Sequence, residues 1–350
     1  MNDAFVFSSI VIVAPNWLGD AVMALPAIAD VRRKYPSARL TIAARRSVAD
    51  VCRLLPFVDD VVTLEWKGRW WRRDEWAGDV ARLRARDADL ALLLPNSFAS
   101  AWLVKQAAIP ARWGFAADMR SALLTRHVPR PSGSMHQGAY YQYLTRELDI
   151  DSGPLEPALT VPAPAVEAAR RLLGDRGWDP SRAIVVFAPG AAYGTAKRWI
   201  PEYVARAAAG MVRDRHASCV IVGSEGDKPT VAQILHVMDA DAVPHVLDLT
   251  GGTSLELLAG VMSLAAACVC NDSGAMHLAA AIGTPVVALF GPTSEYETSP
   301  LTREGRRAAV LTHPVWCRPC KLRECPIDHR CMKGIVPARV TEALERLMAS

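Results

Sequence analysis

A carboxylate follows the first buried strand pattern of the chain. Residues 10–14 predict a strand, the turn after it contains Gly19, and Asp20 stands where a helix pattern begins. An aspartate in this position serves either as a helix cap, which contributes about 1 kcal/mol, or as a general base that takes a proton from a bound hydroxyl group. Position alone favours the cap, whereas the later loops of the chain favour the base.

A glycine-rich loop with two cations follows the strand pattern at residues 184–188. Gly190 and Gly194 would let backbone N–H groups approach a phosphate. Lys197 and Arg198 would then neutralise that phosphate. The spacing is G-x-x-x-G-x-x-K, which differs from the G-x-x-x-x-G-K-[ST] pattern of a P-loop. We therefore predict a general phosphate site in preference to an NTPase, and a solvated basic turn remains the alternative.

Two further loops carry acidic residues directly after strand patterns. Glu225 follows one strand, where an acidic side chain commonly accepts hydrogen bonds from ribose hydroxyl groups. Residues 271–274 (Asn-Asp-Ser-Gly) end another strand, and a helix pattern that carries His277 follows them. The N–H groups and the dipole of a helix N-terminus stabilise a pyrophosphate. We expect Asp272 to contact sugar hydroxyl groups or to fix the loop.

The elements that must position these loops follow from the hydrophobic pattern. Short runs of Val, Ile and Leu alternate with helical patterns, which indicates parallel sheets covered by helices. The proline-rich residues 149–169 lack a strong period and are the predicted linker. The predicted fold is α/β with two Rossmann-like domains, residues 1–160 and 161–350. Ligands bind at the carboxyl ends of such strands, so we expect the site in a cleft between the domains.

The predicted strands lie at residues 10–14, 40–43, 61–64, 90–94, 184–188, 219–223, 246–249, 267–270 and 285–290.

The composition excludes several classes of protein. The net charge of +4 is too small for a nucleic-acid-binding protein, although the excess positive charge lies in residues 1–150 and favours an anionic partner there. The uncharged residues 273–294 are interrupted by Gly-Thr-Pro, which predicts helix, turn and strand instead of a membrane span. Eight cysteines without a secretory signal pattern predict a cytoplasmic protein.

The motifs PNWLGD, PGAAYGTAKRW, VGSEGD and NDSGAMHLAAAIGTPVVALFGPT occur in this order and span most of the chain. In this respect the sequence resembles the family-9 glycosyltransferases. The resemblance implies a GT-B fold, with the acceptor bound by the first domain and a nucleotide sugar by the second. It also implies an inverting transfer of L-glycero-D-manno-heptose from ADP-heptose to the first heptose of the lipopolysaccharide inner core. A family member with a different core acceptor is the nearest alternative.

The resemblance, together with the loops and basic residues of the sequence, assigns roles to individual positions. Asp20 would be the base, and Lys197 would neutralise the leaving phosphate. Asn16 and Arg120 would bind the acceptor. Ala275 stands where we expect a larger apolar residue. The positions that would bind the donor are Gly190, Gly194, Lys197, Arg198, Glu225, Asp272, Ser273, Gly274, Ala275, Met276 and His277.

No cofactor and no metal are expected, although two patterns bear on a metal site. Three D-x-D triplets, at residues 87–89, 149–151 and 239–241, are interpreted as solvated because none directly follows a strand that could hold a nucleotide and its metal. Cys317, Cys320, Cys325 and Cys331 have the spacing C-x2-C-x4-C-x5-C, with His329 nearby. Such spacing is typical of zinc or iron–sulfur sites. We expect a structural cluster, and its metal content stays open.

Basic and aromatic residues suggest where the acceptor would bind. Residues 66–73, WKGRWWRR, suit the surface of an anionic membrane or glycolipid, and a helix-flanking loop with partly packed indoles is the equal alternative. Arg112, Arg120 and Arg126 form a second candidate group. The acceptor would then be reached at the inner face of the inner membrane.

A rival hypothesis comes from a different class of protein. A nucleotide-binding regulator or metal sensor would bind ADP without transferring sugar. In that case the cysteine cluster would be its functional site and Asp20 would only cap a helix. Turnover of a nucleotide sugar distinguishes this hypothesis from a transferase.

Overall fold

The computed structural model describes residues 6–69, 71–157, 159–305 and 307–349. The chain divides into two compact units, Met1–Leu159 and Thr160–Ser350. The predicted domain boundary lies one residue further along the chain. Each unit is a parallel sheet covered by helices, so the expected α/β class is confirmed.

The first unit contains a six-stranded parallel sheet. Its strands are β1 (Ser9–Val13), β2 (Arg39–Arg45), β3 (Asp60–Leu64), β4 (Leu90–Leu93), β5 (Ala111–Ala116) and β6 (Arg126–Pro129). Its helices are α1 (Leu18–Met23), α2 (Leu25–Lys34), α3 (Arg46–Cys52), α4 (Arg73–Arg84), α5 (Phe98–Gln106) and α6 (Gln137–Glu147). The spatial order β3-β2-β1-β4-β5-β6 places β1 beside β4. The loops after these two strands therefore flank the point where the strand order reverses, which is where open α/β sheets bind ligands.

The second unit repeats this topology with a second six-stranded parallel sheet. Its strands are β7 (Ile184–Ala188), β8 (Ser218–Ile221), β9 (Val246–Asp248), β10 (Ala267–Asn271), β11 (Val286–Phe290) and β12 (Ala308–Thr312). Its helices are α7 (Ala163–Asp175), α8 (Pro201–Arg215), α9 (Lys228–His236), α10 (Leu255–Leu264), α11 (Gly274–Ile282), α12 (Glu295–Thr298), α13 (Arg330–Lys333) and α14 (Pro337–Met348). The order β12-β11-β10-β7-β8-β9 places β7 beside β10. The loops after β7 and β10 therefore flank the equivalent reversal point.

The central strands are apolar because both faces of each sheet are covered. Residues of β1, β7, β10 and β11 are almost completely buried. The C-terminal helix α14 packs Val340, Ala343 and Leu344 into the core of the second unit. Within the described parts of the chain, no helix has the length and apolar character needed to cross a bilayer.

Candidate functional site

An ion pair joins the two loops at the reversal point of the second sheet. Lys197 Nζ donates a hydrogen bond of 2.6 Å to Asp272 Oδ2, and their side chains are 13% and 5% exposed. Lys197 ends the short 3-10 turn Thr195–Lys197 after β7, and Asp272 directly follows β10. The neighbouring strands thus bring together two residues that are distant in sequence. Of the two roles expected for Asp272, this geometry supports fixing the loop.

Further donors hold the Asp272 carboxylate in place. Thr293 Oγ1 donates to Asp272 Oδ2 at 2.6 Å, and Thr298 Oγ1 donates to Oδ1 at 3.4 Å. The Lys197 ammonium also lies 5.0 Å from the centre of the Tyr193 ring. Lys197 is therefore a preorganised cation: the Tyr193 ring and the Asp272 carboxylate, which Thr293 and Thr298 hold, fix its position.

The N-terminus of α11 lies in the loop that carries Asp272. Its N-cap residue is Ser273, whose backbone is extended and whose side chain does not cap the helix. The Ser273 hydroxyl is buried and has no hydrogen-bond partner among the described residues. The first N–H groups of a helix also lack intrahelical partners. Together these groups suit an anion such as a pyrophosphate.

The residues that follow Ser273 differ in what they expose. Gly274 and Ala275 are partly exposed, so their backbone is accessible. Met276 is completely buried and His277 is only 3% exposed. The expectation of a donor contact is therefore corrected for the Met276 side chain, which packs inward because it lies on the core face of α11. His277 is likewise a buried residue of the helix.

Arg198 does not extend toward a ligand as the sequence suggested. Its Nη2 lies 3.3 Å from Asp227 Oδ1, and its Nη1 donates to Thr230 Oγ1 at 3.1 Å. Gly190 permits this arrangement, because a Cβ at that position would overlap the Asp227 carboxylate. Arg198 and Gly190 thus join the loop after β7 to the loop after β8. Asp227 was missed, although Ser224 and Asp227 form a capping box that the sequence displays.

Asn271 is a second residue that sequence reasoning missed. It is 1% exposed and ends β10. Its Oδ1 accepts from Trp199 N at 3.1 Å, and its Nδ2 donates to Pro189 O at 2.7 Å. This side chain therefore holds both ends of the glycine-rich loop. Its position immediately before Asp272 in the NDSG motif was the sequence feature that could have identified it.

Glu225 lies in the loop after β8 and is accessible. Its carboxylate forms an ion pair of 2.7 Å with Lys228, and the two side chains are 75% and 54% exposed. Exposed pairs of this kind are weak. Glu225 can therefore leave its ion pair with Lys228 and accept hydrogen bonds from ribose hydroxyl groups, with little loss of free energy.

We predict that Gly194→Ala strongly impairs the loop that presents Lys197. A Cβ at Gly194 would overlap the carbonyl oxygen of Arg323, a backbone atom that cannot rotate away. We expect kcat/KM for the nucleotide sugar to fall about tenfold or more. The matched control is Gly174→Ala in α7, where a Cβ meets no atom within 4 Å. Equal kcat/KM for the two variants would show that this contact does not set the loop.

Asp20 lies near the reversal point of the first sheet. The N-cap of α1 is Trp17, and Asp20 is inside the first turn, so the hypothesis that it is the cap residue is wrong. Burial raises the pKa of Tyr141 in α6, and the negative charge of Asp20 raises it further. Asp20 is itself partly exposed, and its helix α1 packs against α6. This position suits a residue that receives a proton.

The two residues expected to bind the acceptor have different surroundings. Asn16 is exposed in the loop after β1. Arg120 is 0% exposed, and its guanidinium donates to the carbonyl oxygens of Phe115, Pro95 and Ser97. Burial lowers the pKa of Arg120 to about 10. The expectation for Arg120 is thus corrected: its side chain holds the loops after β4 and β5 from inside the unit.

The other two arginines of the proposed basic group are also structural. Arg112 Nε donates to Leu123 O at 2.7 Å, and Arg126 pairs with Asp149 at 2.8 Å. Arg112 and Arg126 lie at the amino-terminal ends of β5 and β6. The carboxyl ends, where ligands of parallel sheets bind, are at the opposite edge.

Exposed apolar side chains at the carboxyl edge of the first sheet were not predicted. Trp17 is 56% exposed after β1, Phe98 is 44% exposed after β4, and Met119 is 94% exposed after β5. Trp102, one turn further along α5, is 37% exposed and stacks on Phe98. Apolar surface of this kind suits the faces of sugar rings or an acyl chain.

The tryptophan-rich residues 66–73 are mixed in character. Trp66 packs edge-on against Trp76 at 4.8 Å and donates to Arg69 O at 3.0 Å. Trp71 is 57% exposed, whereas Trp70 lies outside the described residues. Trp66 is therefore a packed indole, as the helix-flanking-loop hypothesis expected. Trp71 remains a candidate for contact with a membrane or glycolipid.

The four C-terminal cysteines line one small cavity of about 20 Å³. They are free thiols: Cys331 is buried, Cys317 half-buried, and Cys320 and Cys325 exposed. Over the part of the chain that the structure describes, no three His, Cys, Asp or Glu side chains have an arrangement that could hold a metal ion. The described geometry therefore contains no formed metal site at these cysteines, and elemental analysis decides whether the cluster binds a metal.

Comparison with known proteins identifies the family. The family model for glycosyltransferase family 9 (heptosyltransferase) matches residues 80–330. This chain belongs to glycosyltransferase family 9. The resemblance in its motifs is thus confirmed, and the protein is a glycosyltransferase.

Relatives within family 9 extend over nearly the whole chain. Lipopolysaccharide heptosyltransferase 2 of Salmonella typhimurium is 29% identical, covering 97% of this chain and 98% of the relative. The solved structure of the Escherichia coli ADP-heptose lipopolysaccharide heptosyltransferase II is 28% identical, with a TM-score of 0.81 and coverage of 97% and 98%. A family-9 structure from Veillonella parvula, 21% identical, has a TM-score of 0.84 and coverage of 98% and 97%. The GT-B type of fold is therefore confirmed.

Proposed function

We propose that this family-9 enzyme transfers L-glycero-D-manno-heptose from ADP-heptose to the first heptose of the lipopolysaccharide inner core. The observation that carries the proposal is the Lys197–Asp272 pair beside the N-terminus of α11, at the reversal point of the second sheet. A fixed cation and a helix N-terminus suit the diphosphate of a nucleotide sugar. Relatives named lipopolysaccharide heptosyltransferase 2 that match along 97% of this chain support the same substrates.

The proposed reaction inverts the anomeric centre in a single displacement. The acceptor hydroxyl gives its proton to Asp20, and its oxygen forms a bond to the anomeric carbon of the donor heptose. The bond between that carbon and the phosphate oxygen breaks, and ADP leaves with the electron pair. Lys197 and the first N–H groups of α11 neutralise the charge that develops on the phosphate. Because ADP is already a good leaving group, the reaction needs no second carboxylic acid.

The donor would be bound by accessible groups of the second unit. Glu225 would accept hydrogen bonds from the ribose hydroxyl groups. The Ser273 hydroxyl and the backbone of Gly274 and Ala275 would bind the diphosphate. Asp272 keeps Lys197 in place during the reaction.

The acceptor would be bound by the first unit. Asn16 and Trp17 are exposed after β1, close in sequence to Asp20. An exposed indole can stack on a sugar ring. We also propose that the enzyme works at the inner face of the inner membrane, where Trp71 and the neighbouring cations would contact the glycolipid.

We predict that removal of metal ions leaves turnover unchanged. Lys197 and the α11 N–H groups supply the charge stabilisation that a metal gives in other transferases. The measurement is ADP release before and after EDTA treatment, together with elemental analysis of protein purified without chelator. Folded metal-free protein that is inactive, and that regains activity with added metal, would contradict this prediction. Bound zinc whose removal unfolds the chain would identify a structural role for the cysteines.

The test of the proposed donor is steady-state turnover with ADP-heptose and a mono-heptosylated acceptor. ADP release that depends on both substrates is expected, and UDP- or GDP-linked sugars should be used far less well. Tight ADP binding without any sugar transfer would instead favour the nucleotide-binding regulator.

A further inference from the structure

Residues 317–331, here called the cysteine segment, contact the loop that presents Lys197. Ala196 N donates to Arg323 O at 2.9 Å, and the Tyr193 hydroxyl donates to Lys321 O at 2.8 Å. His329 Nε2 lies 2.6 Å from Ala196 O. A carbonyl oxygen only accepts hydrogen bonds, so Nε2 of His329 carries the proton. The segment is therefore bonded to the Tyr193 side chain and to both backbone groups of Ala196, the residue directly before Lys197.

The same segment contacts the loop after β11, which helps to hold Asp272. Lys321 N donates to Pro292 O at 2.8 Å. Arg318 Nε donates to Gly291 O at 2.7 Å, and its Nη2 donates to Thr293 O at 3.1 Å. Thr293 is the residue whose hydroxyl donates to Asp272. The cysteine segment thus bonds to the backbone near both members of the Lys197–Asp272 pair.

The four thiols lie around one small cavity inside the segment. All four cysteines line the same small cavity with Ala196 and His329. His329 N donates to Cys325 Sγ at 3.3 Å. Burial raises the pKa of Cys331, and the neighbouring Cys325, Cys317 and Cys320 raise it further. His329 has a φ of 62°, a left-handed conformation that is uncommon for a residue with a side chain. This backbone geometry aims the imidazole at Ala196.

We propose that the cysteine segment is a clasp that positions Lys197 for the leaving phosphate, and that His329 is its principal positioning residue. This inference rests on the proposed function, because the value of a fixed Lys197 is to neutralise a donor diphosphate. The segment lies between β12 and α14 and acts on the donor through residues 193–197. Loss of the His329 contact frees the Ala196 carbonyl and lets the turn before Lys197 move.

The test compares His329→Ala, His329→Gln and the control His236→Gln in the full chain. His236 is an exposed histidine at the end of α9. Amide hydrogen exchange without ligand is measured first. In His329→Ala we expect the exchange rate of residues 193–198 to rise about tenfold. Exchange in the rest of the second unit should stay at the wild-type rate. Glutamine can donate to the same carbonyl and should restore protection, whereas His236→Gln should match the wild type.

The Kd for ADP and the KM for ADP-heptose are measured on the same proteins. Both should rise about tenfold in His329→Ala and return to within about threefold of the wild-type values in His329→Gln. Tyr193→Phe, which loses only the hydroxyl bonded to Lys321, should show a smaller change in the same direction. This variant keeps the test decisive if His329→Ala does not fold.

Two results would overturn the clasp. The first is unchanged exchange at residues 193–198 in folded variants. The second is faster exchange there with an unchanged Kd for ADP. Wild-type protein that fails to bind ADP would contradict the proposed function, and the exchange measurement would still decide whether the segment holds the loop.

Discussion

Replacing Asp20 by Asn is expected to lower kcat about 10²- to 10⁴-fold, the usual contribution of a general base. Asparagine has nearly the same shape and can accept hydrogen bonds, but it cannot take the acceptor proton. Asp20 is partly exposed and lies inside the first turn of α1, where an asparagine side chain of the same size fits. The Kd for ADP and the Tm should therefore stay close to the wild-type values.

A matched control for this prediction is Asp87→Asn. Asp87 is exposed, precedes β4 at the amino-terminal edge of the first sheet, and has a φ of 46°. Asparagine accepts this left-handed conformation as readily as aspartate does. Asp87→Asn should keep full activity. If Asp20→Asn stayed within a few-fold of the wild type, Asp20 would have no role as the base.

The second large effect is expected for Lys197→Ala. Removing the cation that we propose to face the leaving phosphate should lower kcat/KM for ADP-heptose about 10²-fold or more, and Lys197→Arg should lose less. The same change leaves the buried Asp272 carboxylate without its cation. The Kd of the Lys197→Ala variant for ADP should also rise, because the bound diphosphate loses the positive charge of Lys197 in the ground state.

A double variant separates the two consequences of losing Lys197. Lys197→Ala with Asp272→Asn removes both charges, so no unpaired carboxylate remains. The Tm should recover relative to Lys197→Ala, while kcat/KM should stay low. Recovery of kcat/KM in the double variant would mean that the lysine only neutralises Asp272 and does not act on the donor.

Most of the strands that the sequence predicted are buried on both faces, and the partly exposed edge strands β3 and β9 are the exceptions. Continuous apolar runs such as residues 184–188 arise because helices cover both sides of the sheet. The strands β5, β6 and β12 were missed. β5 contains Arg112 and Gly114, β6 is only four residues long, and β12 is a partly exposed edge strand. The sequences of β5 and β6 lack a continuous apolar run because polar residues or glycine interrupt them. β12 has the short apolar run AAVL, but it forms a partly exposed edge of the sheet.

The sequence indicated which loops carry the candidate site residues, but not which side chains contact each other. Glycines and charges after strand patterns indicated the loops that carry Lys197 and Asp272. The sequence could not show that Arg198 pairs with Asp227, or that Arg120 is buried among carbonyl oxygens. Those contacts depend on which side of a loop faces the core. The contact of His329 with Ala196 crosses 133 positions and has no local signal.

The central claim is the transfer of one heptose to the first heptose of the inner core. The most direct measurement incubates the enzyme with ADP-heptose and a mono-heptosylated acceptor, followed by mass spectrometry and NMR of the product. We predict one added heptose for each ADP released, an inverted anomeric configuration, and no product from an acceptor that lacks the first heptose. Heptose added to that shorter acceptor, or ADP released without a glycosylated product, would contradict the account.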